Sequence, residues 1–77
     1  MPLKIATVEW LDAWFNESAG RLNDFDRTPK WNLTVGFVME DNDTHILLSM
    51  DKLEDDRYRH WFYIPRAFIK DVNYLEL

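Results

Sequence analysis

The chain has 77 residues, a formal net charge of −5 and no cysteine. This length fits a single domain spanning residues 1–77, and without cysteine neither a disulfide nor a thiolate zinc site can form. The acidic balance argues against binding to bulk nucleic acid, whose phosphates require a basic surface.

The sequence gives no sign of a membrane partner. Its apolar runs are shorter than the roughly 18 residues that a membrane-spanning helix needs, and residues 1–4 lack the apolar run of a signal peptide. We therefore expect a cytoplasmic protein. The four Trp, three Tyr and five Phe residues supply apolar area for a small core, and rings left outside it would mark a contact surface.

The N-terminal segment has two interpretations. Residues 4–10 read K-I-A-T-V-E-W and alternate as in a strand. Apolar residues also recur at helical spacing over residues 8–19, where Thr7 suits an N-cap and Gly20 a C-terminal cap. A helix there would make an α+β fold, with the helix packed on a four-stranded antiparallel sheet. Spacing alone leaves both interpretations open.

A β-hairpin is the strongest local signal, and it follows a polar loop over residues 16–30. Residues 31–40 alternate as a strand, in which Gly36 indicates a bulge, a bend or a close approach of backbone. The sequence D-N-D at 41–43 predicts the turn. The next strand covers residues 44–50, and we expect its core face to hold Ile46, Leu48 and Met50.

The last third of the chain predicts two more strands. A charged loop over 51–58 precedes a strand at 59–64, in which Phe62 and Ile64 share one face while Trp61 and Tyr63 share the other. Pro65 ends this strand, the segment 66–69 suits one 3₁₀ turn, and the last strand covers 70–75. Five strands with a helical turn before the last one predict a mainly β chain, a small five-stranded SH3-like barrel.

Three motifs carry a resemblance to a known group of proteins. They are V-E-W-L-D-A at 8–13, V-G-F-V at 35–38 with the hairpin that follows, and I-P-R-A-F-I at 64–69. In this order they resemble small uncharacterised proteins of tailed bacteriophages with a VxWxDA … VGxV … IPxxxI pattern. The resemblance covers most of the chain. It implies an SH3-like fold whose first strand ends near Leu11, and a phage accessory role in the cytoplasm of a bacterial host.

The chain is poor in catalytic groups. Ser49 and His45 lie on one predicted strand, roughly 13 Å apart at the rise of a strand, so they cannot act as a nucleophile and its base. We find no nucleophile elbow or phosphate-binding loop. The Asp and Asn residues at 41–43 do not follow the calcium-loop pattern. We therefore expect no enzymatic activity, no catalytic residues, no cofactor and no metal site.

The candidate ligand-binding residues lie after the second charged loop. Residues 57–61 read R-Y-R-H-W, which combines guanidinium groups and an imidazole with aromatic rings. Guanidinium forks bind phosphates and aromatic faces stack on bases. This combination predicts a site for a nucleotide-like ligand, completed by tryptophans from a neighbouring loop or subunit. The predicted residues are Arg57, Arg59, His60, Trp61, Trp14 and Trp31. Alternatively, part of this cluster is core and the arginines pair with nearby Asp side chains.

These observations predict a small non-enzymatic binding protein. The leading hypothesis is that it blocks or sequesters a host component, such as a nucleotide-like defence signal. The second is a protein-interaction module that binds a host or phage protein through an aromatic face or a sheet edge. The third is a structural or assembly component of a phage particle. We also expect a homo-oligomer, because pairing between copies would cover the exposed strand edges of a small barrel.

Overall fold

A computed structural model describes residues 3–13, 19–24 and 26–76. Within these ranges the chain forms five β-strands and two 3₁₀ turns. The elements in chain order are β1 (Ile5–Asp12), a 3₁₀ turn (Leu22–Asp24), β2 (Lys30–Asp41), β3 (His45–Lys52), β4 (Tyr58–Pro65), a second 3₁₀ turn (Arg66–Phe68) and β5 (Ile69–Leu75). The mainly β class, the five strands and the 3₁₀ turn before the last strand are therefore confirmed.

The helical interpretation of residues 8–19 is not supported. Strand β1 runs through Asp12 and pairs antiparallel with β2 from Ile5 to its end. Its other side pairs with β5. Hydrogen bonding on both sides satisfies the backbone of β1, and this tertiary pairing outweighs the helical spacing of its apolar residues. Residues 14–18 lie outside the described part of the chain.

The five strands make one antiparallel sheet in the order β4-β3-β2-β1-β5. Among the described residues this sheet is open, with β4 and β5 as its edges, so a closed barrel is not confirmed. Strand β2 changes its pairing partner along its length. Residues 30–37 pair with β1, and residues 37–41 pair with β3.

The core lies on the concave side of this curled sheet and draws on all five strands. The fully buried apolar side chains include Val8 of β1, Leu48 of β3 and Ile64 of β4, with Val38 of β2 and Val72 of β5 packed against them. Burial of each such side chain contributes roughly 1.5–3 kcal/mol. The sheet therefore folds over on itself around one small core.

Two aromatic rings link opposite parts of the sheet. Trp10 of β1 meets Phe62 of β4 edge-on, with ring centroids 5.4 Å apart. The indole Nε1 of Trp10 donates to the Thr34 hydroxyl at 2.9 Å. Because β1 and β4 are separated by two strands in the sheet order, this contact requires strong curvature.

Gly36 lies where β2 exchanges β1 for β3 as its neighbour. A Cβ atom on Gly36 would lie 2.8 Å from the carbonyl oxygen of Ser49 and 2.9 Å from Cε of Met50. Only a residue without a side chain permits so close an approach. The close approach expected at Gly36 is thus present.

The prediction for the core face of β3 is wrong at one position. Ile46 and Leu48 are buried as expected, but Met50 is exposed and Ser49 is fully buried. Pairing between β2 and β3 stops at Phe37 and Ser49. Beyond that point β3 pairs only with β4 among the described residues, and Met50 has no paired residue of β2 beside it.

Candidate functional site

The predicted cluster lies on β4, an edge strand that pairs with β3. The register places Phe62 opposite the core residue Leu48 and Trp61 opposite Ser49. Trp61, Phe62 and Tyr63 are nevertheless 53%, 37% and 59% exposed. We call these three residues the β4 aromatic edge. They present rings on both faces of a strand whose outer side has no neighbour among the described residues.

The rings of this edge are held by contacts with their neighbours. Tyr63 stacks on His45 with ring centroids 4.5 Å apart and an interplanar angle of 29°. Trp61 lies 6.2 Å from the ring of Tyr58. Tyr58 in turn lies 6.2 Å from Phe37 of β2. The exposed rings are therefore positioned in advance, which lowers the entropic cost of using them as binding surfaces.

Both arginines of the cluster already have carboxylate partners. Arg57 Nε donates to Asp55 Oδ2 at 2.7 Å, and Arg59 Nε donates to Asp51 Oδ2 at 2.8 Å. The hydrogen bond from Arg57 lowers the pKa of Asp55. The positive charge that a phosphate would need is thus largely compensated at this site. This is the pairing that the alternative interpretation of the cluster expected.

His60 has a backbone conformation that is unusual for a strand. Its φ angle is +60°, in the left-handed region that costs a non-glycine residue roughly 1–2 kcal/mol. Its side chain is exposed, and Nε2 lies 3.8 Å from Asp51 Oδ2. Strained backbone of this kind concentrates at binding and catalytic sites.

Ser49 of β3 forms a hydrogen bond with the backbone of this part of β4. Its hydroxyl is fully buried and donates to the carbonyl oxygen of Arg59 at 2.7 Å, next to His60. It also lies 3.0 Å from the carbonyl oxygen of Asp51. Sequence reasoning missed this role, although a lone hydroxyl in the apolar run at 46–50 was a signal for it.

The two tryptophans predicted to complete the site are placed differently. Trp31 lies in the half of β2 that pairs with β1, opposite Leu11. Lys70 of β5 lies over its ring, with Nζ 5.1 Å from the centroid. The contacts of Trp31 are thus with β1 and β5, whereas Trp61 packs beside Tyr58. Trp14 lies outside the described residues.

Two concave regions lie away from the β4 aromatic edge. A shallow cavity of about 190 Å³ is located where β3 leaves β2, and a wider cleft of about 650 Å³ lies beside the N-terminus. The cavity is lined by Ile5, Val35, Gly36, Phe37 and Met50, and the cleft by Leu3, Lys4, Val38, Met39, Glu40, Asp41, Tyr58 and Tyr74. Among the described residues, no group of three or more acidic or His side chains is arranged to hold a metal ion.

The Ser and His residues weighed as a catalytic pair are both engaged elsewhere. His45 contacts Glu40 through Nε2 at 2.7 Å and the Thr44 hydroxyl through Nδ1 at 2.8 Å. The Ser49 hydroxyl is directed to backbone carbonyl groups of β3 and β4. The described contacts therefore give Ser49 a structural role.

Comparison of the chain with protein-family models, with curated proteins and with solved structures gave no match. The resemblance to tailed-phage proteins therefore stays a prediction. Within the described residues, no helix has both the length and the apolar character needed to cross a membrane.

Proposed function

We propose that the chain is a small non-enzymatic binding module with an SH3-like barrel, and that it engages a protein partner through the β4 aromatic edge. The observation that carries this proposal is the run of three exposed aromatic residues on an edge strand. The curvature that brings Trp10 to Phe62 supports the barrel.

The mode of binding follows from the strand. An edge strand presents backbone N–H and C=O groups to which an extended segment of a partner can add as a further strand. Trp61 and Tyr63 then cover one face of the added strand, and Phe62 covers the other. Aromatic residues dominate the energetics of such interfaces because they bury a large area with few rotatable bonds.

The biological role that we propose rests on the phage resemblance of the sequence. A phage accessory protein without catalytic groups acts by binding, and its partner would be a protein of the host or of the phage itself. The strained backbone at His60 supports a binding role for this part of β4.

A bait comparison tests the proposal. The wild-type chain and a Trp61→Ala/Tyr63→Ala variant are used to capture proteins from infected-cell lysate, with quantitative mass spectrometry as the readout. A Leu22→Ala variant is the control, because Leu22 is also an exposed apolar residue but lies in the first 3₁₀ turn. We expect the control to retain a specific partner that the double variant loses. Recovery of the same proteins by all three baits would refute the proposal.

A nucleotide-like ligand is the second candidate function. It is favoured by the exposed indole of Trp61, which follows directly on Arg59 and His60. A nucleotide panel in a thermal-shift assay should then raise the melting temperature, and Arg59→Ala should abolish this shift without unfolding the chain. Because salt screens the attraction between the exposed Arg59 and a phosphate, we expect any shift to be largest at low salt. If no nucleotide changes the melting temperature, this candidate is excluded.

A further inference from the structure

The first half of β2 is a further free edge, separate from the outer edges formed by β4 and β5. Residues 30–37 pair with β1 on one side, and β3 begins its pairing with β2 only at Phe37. Among the described residues, no strand flanks the other side of residues 31–35. This segment reads W-N-L-T-V and contains no charged residue.

The same segment exposes an apolar row in the first half of β2, the longest strand among the described residues. Trp31, Leu33 and Val35 are 48%, 67% and 47% exposed. They share one face of β2, while Asn32 and Thr34 share the other and are half-buried. Natural proteins protect free edges with charges, prolines or bulges. The edge strand β5 follows this rule, with Lys70, Asp71 and a bulge against β1, but residues 31–35 do not.

We propose that two copies of the chain pair antiparallel along residues 31–35, with Leu33 of each copy opposite Leu33 of the other on a twofold axis. This pairing joins the two sheets into one. It goes beyond the proposed function, because it concerns a different strand and a different partner.

The register follows from the alternation of side chains. In an antiparallel pair, directly opposite residues lie on the same face of the sheet. A twofold axis perpendicular to the sheet therefore allows only registers in which opposite residues share a face. With Leu33 on the axis, Trp31 lies opposite Val35 on the apolar face, and Asn32 lies opposite Thr34 on the polar face. All three residues of the exposed row then make cross-strand contacts with the row of the other copy.

The two adjacent twofold registers, centred on Asn32 and on Thr34, each create a conflict in backbone pairing. With Asn32 on the axis, Val35 would lie opposite Pro29, which has no N–H group to donate. With Thr34 on the axis, Trp31 would lie opposite Phe37, whose position on β2 is already paired with Ser49 of β3. The register centred on Leu33 avoids both conflicts.

The lack of charged residues in this segment permits a second copy at this edge. Two chains that each carry a net charge of −5 repel one another, and residues 31–35 are a stretch where they can meet without facing carboxylates. Five paired residues with their side chains make an interface smaller than about 800 Å² per partner. We therefore expect a dimer that dissociates in roughly the micromolar range.

A disulfide trap tests the register directly. The chain has no native cysteine, so Leu33→Cys places one thiol per copy on the proposed axis. Opposite Cα atoms in an antiparallel pair lie about 4.5–5.5 Å apart, which suits a disulfide. We expect mild oxidation to cross-link most of the Leu33→Cys chains. The control is Leu22→Cys at a 75% exposed position outside the sheet; equal cross-linking of both variants would overturn the proposal.

Mixed cysteine variants then separate this register from any other. Trp31→Cys and Val35→Cys should each form little covalent dimer under oxidation when alone, because neither residue faces its own counterpart. A mixture of the two should give the covalent heterodimer. A heterodimer yield no greater than that of Leu22→Cys would contradict the Leu33-centred register.

A charge at the axis tests the dimer without cysteine chemistry. In light scattering at high micromolar concentration, the wild type should approach twice its monomer mass of 9.3 kDa. Leu33→Lys should return it to the monomer, with an unchanged circular dichroism spectrum because Leu33 is exposed. Leu22→Lys and Trp61→Ala should leave the dimer intact, so a failure here is distinct from failure of the β4 proposal. A wild-type monomer at this concentration would refute the inference.

Discussion

The Tyr74 hydroxyl in β5 donates a hydrogen bond to the carboxylate of Asp41 at the end of β2. The same carboxylate forms an ion pair with Arg66 of the second 3₁₀ turn. Arg66 also donates through Nε to the carbonyl oxygen of Asn42 at 2.9 Å, and its backbone N–H donates to that of Thr44 at 2.9 Å. The connection between β4 and β5 is thereby fastened to the β2–β3 turn, which helps to hold the curved shape of the sheet.

This relationship predicts the behaviour of the protein at alkaline pH. Burial, followed by the hydrogen bond to Asp41, raises the pKa of Tyr74 from 10.0 to about 12. The folded state therefore keeps the proton longer than the unfolded state, and the resulting stability is present below pH 10 and lost as pH rises through about 12. Urea unfolding should show the free energy of unfolding falling more steeply over this window in the wild type than in Tyr74→Phe.

A spectroscopic titration checks the same prediction independently. Tyrosinate absorbance of the wild type should show a late rise around pH 12, and this late rise should be missing in Tyr74→Phe. If Tyr74→Phe instead loses part of the absorbance rise near pH 10, and neither protein has a later phase, Tyr74 ionises normally.

Gly36 should be essential for stability although Gly20 is not. Gly36→Ala would press a methyl group against the Ser49 carbonyl oxygen, and overpacking of this kind costs roughly 1–3 kcal/mol. At Gly20 the nearest atom to a new Cβ is 4.0 Å away, so Gly20→Ala should be neutral or slightly stabilising. Chemical denaturation of both variants measures the difference. Equal midpoints would mean that β2 and β3 separate at little cost.

Ser49→Ala should destabilise the fold by roughly 1–3 kcal/mol, because it leaves the buried side of the Arg59 carbonyl group without its donor. The methyl group itself fits the space of the hydroxyl. The control is Thr7→Ala, because the Thr7 hydroxyl makes a longer, exposed hydrogen bond of 3.5 Å to the Asn73 carbonyl oxygen. We expect denaturant midpoints to fall clearly for Ser49→Ala and only slightly for Thr7→Ala.

His60→Gly should stabilise the chain by about 1 kcal/mol, because glycine adopts a φ of +60° without strain. His60→Ala removes the same imidazole but keeps the strain, so the comparison separates backbone from side chain. Thermal unfolding should rank His60→Gly above His60→Ala. If the two melt together, the left-handed conformation at His60 carries no measurable cost.

Local sequence determined much of this fold. Alternation of apolar and polar residues predicts the strands at 31–40 and 59–64 because a strand places successive side chains on opposite faces. The D-N-D turn is predicted because an Asn side chain can replace a backbone hydrogen-bond acceptor. Asn42 Oδ1 indeed accepts from the backbone N–H groups of Thr44 at 2.9 Å and His45 at 3.1 Å. These are interactions between residues close in the chain.

Other features were decided by tertiary structure, because they depend on residues far apart in the chain. The spacing of residues 8–19 fits a strand or a helix, and pairing with β2 and β5 resolves it at β1. The R-Y-R-H-W cluster left two interpretations open, a phosphate site or arginines paired with nearby Asp side chains, and the structure pairs Arg57 with Asp55 and Arg59 with Asp51.

The free edge at 31–35 shows the same limit most clearly. Composition identifies this segment as an apolar strand. Only the point at which β3 leaves β2 decides that one side of it has no neighbour among the described residues. Periodicity reports which residues share a face of a strand, because it arises from local backbone geometry. Which faces and edges become covered depends on the path of the whole chain.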